Sequence, residues 1–265
     1  MKTKTKVVTT YLLTDWLKIV LPIFLVMLMI GFFDELLQME NWQMLVQKTF
    51  DFSSSVFISM GVIIFGLGNY QKFEYLIQNG ISRQTFFKAK MLATSIIVVG
   101  LTLIDYVNTY LIQKNAGVVV TDFYTKFYGH FFAVSWLNYG AKFIFDGLSL
   151  FILLSFLMLI CLGLSLCKKT ARLIIIAAFI TCPFLILGLG IDLLVKFIDH
   201  QTLVSTANDV QIFFKKIFMF VTGYSKNIPA GHYNPTIYFI ILILLSIIGI
   251  GLSYFVMQHL KLRTE

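Results

Sequence analysis

The residues with the most chemical potential are four aspartates, Asp51, Asp105, Asp146 and Asp192, set in or beside long apolar runs. A carboxylate at the centre of a bilayer costs about 2.5–3.5 kcal/mol on insertion scales, so such residues bind or relay ions unless they sit near an end of their span. All four fall toward one end of their runs. Asp146 lies four residues from Lys142, and Asp192 four from Lys196, the spacing of an interfacial ion pair on a helix. Asp105 has no basic residue at that spacing and lies deepest, about seven residues from the boundary. It is the candidate for facing a wet cavity and a translocation pathway.

Catalytic constellations do not emerge. Glu35, Glu40, Glu74 and Glu265 fall in connections or at the terminus, and His130, His200, His232 and His259 are scattered. There is no His-Glu-x-x-His pair, no Gly-x-Ser-x-Gly elbow and no phosphate-cradling Walker A loop, so no catalytic, metal or cofactor site is expected. Cys161, Cys167 and Cys182 lie in or at the ends of spans, which suits small apolar fillers better than a disulfide framework.

The elements that hold these residues follow from composition. The chain is 58% hydrophobic and 13% charged, with mean hydropathy +0.84, whereas a soluble domain carries about a quarter charged residues. Apolar blocks of spanning length cover 16–33, 52–70, 91–112, 143–166, 171–195 and 236–257. They do not alternate, which excludes a barrel, so the expected fold is all-α with six transmembrane helices in one domain over 1–265. The first block follows Lys2, Lys4 and Lys6 but no small-x-small cleavage site, and it reads as retained.

Basic residues set the orientation. Segments 1–18, 71–90, 168–172 and 258–265 hold 13 Lys and Arg in 51 residues, against 8 in 86 for 34–49, 113–142 and 196–235. The positive-inside rule then places both termini in the cytoplasm. The net charge of +8 serves topology and gives no reason to expect nucleic acid. Residues 210–221, before the sixth span, are too short to cross and too apolar to float. They suit an extracellular helix that is either re-entrant or flat on the interface. In the spans, Gly249 with Ser253, and Gly61, Gly66 and Gly68, form notches for close helix approach.

The 71–90 connection is structured. Phe73, Leu76 and Ile77 share a helical face, Asn79-Gly80 supplies a stop, and Ser82 can cap the next helix. Such an element either presents an apolar knob to a cytosolic partner or lies in the headgroup layer. The run Asn79-Gly80-Ile81-Ser82-Arg83-x-x-Phe86-Phe87-x-x-Lys90 resembles a segment of bacterial type-2 permease subunits of ATP-binding-cassette (ABC) transporters, and the six-span plan resembles them too. The resemblance implies a coupling helix between the second and third spans, with Phe73, Glu74, Leu76, Ile77, Gly80, Ser82 and Arg83 docking a separate ATPase that binds the ATP. It also implies a second permease copy or paralogue, a bacterial plasma-membrane location, and export of a peptide, bacteriocin or drug. Two other readings stay open: an ion-coupled secondary transporter using Asp105, and a non-transporting immunity or assembly protein.

Overall fold

The computed structural model describes residues 2–37, 49, 56–66, 70–116, 123–129, 131–166, 212–213, 215–224 and 233–260. These residues form helices and turns, with no strand among them. In chain order the helices are α1 (Lys2–Leu37), α2 (Val56–Gly66), α3 (Tyr70–Gln78), α4 (Arg83–Ala116), α5 (Phe123–Tyr128), α6 (Ser135–Leu166), α7 (215–221) and α8 (Pro235–His259). Four of them contain a stretch long and apolar enough to cross a membrane: Thr3–Phe33, Arg83–Tyr110, Trp136–Leu166 and Pro235–His259. By length and composition the chain is a membrane-embedded helical protein. Of the six expected spans, the second is described over Val56–Gly66, and the fifth lies outside the described residues together with Asp51, Asp192 and the turn at 168–172.

The first helix differs from expectation. It begins well before the apolar block at 16–33: one unbroken helix starts at Lys2 and contains Pro22. Its threonines fold their hydroxyls onto their own helix. Thr9 donates to the Thr5 carbonyl (2.9 Å), Thr10 to Lys6 (3.0 Å) and Thr14 to Thr10 (2.5 Å). That removes the polar penalty and lets the helix run on.

Val8, Leu12, Trp16 and Val20, one helical turn apart, form the buried stripe of α1. They pack on the small face of α4, which presents Ala89, Ala93 and Val98 to the same core. Gly61, Gly66 and Gly249 sit at close helix contacts, while Gly68 lies outside the described residues. Gly61 lets the Trp16 indole approach until its Nε1–H donates to the Gly61 carbonyl at 2.9 Å. A Cβ on Gly66 would lie 2.8 Å from the Leu157 Cβ, and one on Gly249 would lie 3.3 Å from the Ser155 Cβ. The α6–α8 pair closes through that last notch, with the Ser253 hydroxyl 3.5 Å from the Ser155 carbonyl.

The far end of the bundle carries an aromatic cap. Tyr124 and Tyr128 of α5 are buried against Phe145 of α6 and Leu242 of α8, with Tyr238 stacked on Phe145 at 4.9 Å. The Tyr128 hydroxyl donates to the Thr222 carbonyl (3.1 Å), tying in the end of α7. Burial, with the phenols of Tyr238, Tyr233 and Tyr124 adding to it, holds the Tyr128 hydroxyl in its protonated form well above the ordinary phenol range. Gly223 ends α7 with φ +71°, and a side chain there would collide with the Asn234 carbonyl. Asn234 in turn caps α8 by accepting from the Thr236 N–H at 2.9 Å. Residues of α7 such as Lys215, Lys216 and Phe220 stay exposed.

Candidate functional site

The 70–90 elbow is built as its sequence dictates at each joint. At the end of α3 the Gly80 N–H donates to the Ile77 carbonyl (3.0 Å) and the Ile81 N–H to the Leu76 carbonyl (3.0 Å). This is the Schellman pattern, with Gly80 at φ +79° in the left-handed position that glycine adopts without steric cost. Nothing lies within 4 Å of a Cβ built there, so the demand on Gly80 is one of backbone alone. After two residues, Ser82 opens α4: its Oγ accepts from the Thr85 N–H at 3.2 Å and its carbonyl from the Phe86 N–H at 2.9 Å. Both chain reversals are therefore hydrogen-bonded, and the elbow is a defined shape.

The apolar stripe packs within this chain. Phe73 is 0% exposed and meets the Phe86 ring edge-on at 5.4 Å, Leu76 is buried, and Ile77 packs on the same core. Periodicity located the stripe, but its partner is this chain, so Phe73 and Leu76 are not a free knob for another protein. The surface left outside consists of Tyr75 (56% exposed), Gln78, Asn79, Gly80 and Ser82, flanked by half-buried Glu74 and Arg83. Asn79 is itself fixed by its Nδ2 donating to the Tyr75 carbonyl (2.7 Å).

Polar contacts clasp the elbow to three other helices. Lys72 pairs with Asp15 of α1 at 2.5 Å, and Thr9 of α1 reaches the Ala89 carbonyl at 3.4 Å. Arg83 donates to the Gln258 carbonyl in the last turn of α8, an orphan acceptor at the negative end of that helix. Lys90 is 2% exposed; its ammonium donates to the Phe65 carbonyl of α2 (3.0 Å) and stands 3.3 Å from the Phe65 ring centroid. A buried cation held by a carbonyl and an aromatic face was not legible beforehand, since Lys90 stood among other basic residues of a connection. The Lys72–Asp15 pair, 57 positions apart, had no sequence signal either.

Asp105 belongs to the other end of α4. It is half-buried, three residues beyond Thr102, whose hydroxyl lies beside Gly147 of α6, and one turn before buried Asn108. The elbow and Asp105 are thus not parts of one site. Lys142 and Asp146 occupy successive turns of α6, with Lys142 buried. Among the described residues no group of three His, Cys, Asp or Glu side chains is placed to hold a metal ion. Comparison with protein-family models, with curated proteins and with solved structures found no match to this chain.

Proposed function

We propose that the chain is the membrane-spanning subunit of an ATP-driven exporter, coupled through the elbow to ATPase subunits that are separate polypeptides. The observation that carries this reading is the elbow itself: a capped helix–glycine–helix turn, clasped at once to α1, α2 and α8, with a small polar and aromatic tip left outside. A lever that must pass motion from one chain into another needs this combination of stiffness, ties to several helices and an exposed end. The basic residues of 71–90 favour a cytoplasmic elbow and cytoplasmic termini. A dimer of such subunits in a bacterial plasma membrane, moving a peptide, bacteriocin or drug, completes the proposal. The ion-coupled alternative wants a carboxylate at mid-membrane, and Asp105 lies nearer the aromatic cap.

The contact surface is the tip, not the buried stripe. Tagged full-length chain purified from its native membrane is expected to bring down an ATPase. Tyr75→Ala with Gln78→Ala should release it while leaving the chain folded. Gly80→Val, which strains the left-handed turn by about 1–2 kcal/mol and re-aims α4, should leave the ATPase bound but its hydrolysis unstimulated. Recovery of the wild-type chain without any ATPase, in mild detergent and in native nanodiscs alike, would sink the proposal.

A further inference from the structure

Helix α7 has three sides with different characters. One side holds the helix in place: Phe218 meets the Phe127 ring of α5 at 5.8 Å, and Thr222, one turn on, is fully buried with its carbonyl on the Tyr128 hydroxyl. A second side is apolar and faces outward. Phe213, in the helical residues 212–213 just before α7, stands with Ile217 and Phe220 at i, i+4 and i+7, which is one stripe of a helix. These three side chains are 60%, 43% and 68% exposed. Lys215 and Lys216, both exposed, leave from the third side, between the stripe and the bundle-facing residues.

The level of α7 is fixed by backbone bonds. The Gly223 carbonyl at its end accepts from the Asn234 N–H at 3.2 Å, and the Tyr233 N–H donates to the Phe127 carbonyl at 3.3 Å. Asn234 is the cap of α8, so the end of α7 stands level with the first turn of a span. That span has 25 residues. Its length, about 37 Å at 1.5 Å per residue, exceeds a hydrocarbon core of about 30 Å, so its ends reach the headgroup layer. From there α7 has three courses. Dipping into the core would take two lysine ammoniums into hydrocarbon, and standing out in water would leave three large apolar side chains wet. Lying along the boundary satisfies both. We infer that α7 rests on the bilayer surface at the capped end of the bundle, with Phe213, Ile217 and Phe220 among the acyl chains next to the headgroups and Lys215 and Lys216 on the phosphates of anionic phospholipid. This decides between the re-entrant and flat courses that the sequence left open. It needs the chain to be membrane-embedded but does not need the exporter reading.

The test uses full-length chain in phospholipid vesicles, with Cys161, Cys167 and Cys182 replaced by serine and one nitroxide at Ile217→Cys or Lys215→Cys, two positions almost opposite on the helix. Collisions with oxygen report lipid, and collisions with neutral nickel-EDDA report water. The ratio of oxygen to nickel access is expected to be at least about tenfold higher at Ile217 than at Lys215. A high ratio at both sites would mean a re-entrant helix, a low ratio at both a helix in water, and shielding of Ile217 from both probes a helix covered by protein; each overturns the inference. A bimane at Ile217→Cys then tests the lysines. Phosphatidylglycerol with brominated chains should quench it about fivefold more effectively than brominated phosphatidylcholine, the ratio equivalent to about 1 kcal/mol from a basic residue near an anionic surface. Lys215→Gln with Lys216→Gln should remove that preference. A ratio of one with both lysines present, or a preference that survives their loss, overturns the phosphate contact. If the Ile217 variant does not elute as a folded species, Phe220→Cys on the same stripe carries both labels. Failure of an ATPase to copurify would leave this result untouched, which separates the two proposals.

Discussion

Truncating Phe73 distinguishes an elbow packed inside the chain from one that is an open docking face. Phe73 is 0% exposed and edge-on to Phe86, while Tyr75, two residues away, is 56% exposed. In a soluble core a buried Phe→Ala change costs about 3–5 kcal/mol, part for transfer and part for the cavity. Lipid weakens the transfer part, because the alternative environment is also apolar, but the lost dispersion contacts remain. About 2–3 kcal/mol is therefore the expected loss for Phe73→Ala. For a chain of this size that corresponds to a fall in Tm of roughly 5–10 °C. Tyr75→Ala, with few contacts to lose, should stay within about 0.5 kcal/mol of wild type. The assay is thermal unfolding of the purified chain in detergent, followed by size-exclusion recovery of monodisperse protein. The opposite order, with Phe73→Ala unchanged and Tyr75→Ala destabilised, would refute the inward orientation of the stripe and restore it as a partner surface.

Two further outcomes test the packing and the cap. Gly249→Leu must push a side chain into Ser155, whose Cβ stands 3.3 Å from the position of a Cβ, so it should cost about 1–3 kcal/mol in the same melting assay, and Gly249→Ala distinctly less. Tyr128→Phe removes the hydrogen bond to the Thr222 carbonyl and should cost about 1 kcal/mol at neutral pH. Because burial raises the folded-state phenol above its ordinary value of 10.0, the stability it confers is complete below pH 10 and declines as pH rises beyond it. The alkaline arm of the wild-type melting profile should accordingly be steeper than that of the Tyr128→Phe variant; equal slopes would show that Tyr128 does not titrate in the unfolding.

Local chemistry was the most legible part of this chain. Asn79-Gly80 announced a left-handed stop and Ser82 a cap, because both effects are decided within four residues, and both are found. Gly61, Gly66 and Gly249 announced close contacts and make them, whereas Gly100, Gly163 and Gly251 in the long apolar helices have nothing within 4 Å of a built Cβ. Direction was not legible. The spacing of Phe73, Leu76 and Ile77 defines a face, yet the same face suits this chain's core, another protein or a membrane surface. The choice was made by Phe86 and the α1 stripe, neither of which is encoded in the spacing. Lys90 was hidden for a related reason: a lysine among lysines reads as topology until a carbonyl from a distant helix is brought within 3.0 Å.

Depth is the quantity that hydropathy supplies least well. A window of apolar residues states which stretch of a helix tolerates lipid, and on α1 that stretch begins after Lys18. It does not state how far that helix is shifted along its neighbours. The shift is set by side chains at the contact: Thr9 on the Ala89 carbonyl, and Trp16 in the notch at Gly61. Those contacts fix the register of α1 against α4. A helix bundle in uniform hydrocarbon would slide to bring the apolar windows level, because each unmatched charge there is costly. On α1 the register is set by buried, specific contacts, the Thr9 hydroxyl on the Ala89 carbonyl and the Trp16 indole on the Gly61 carbonyl.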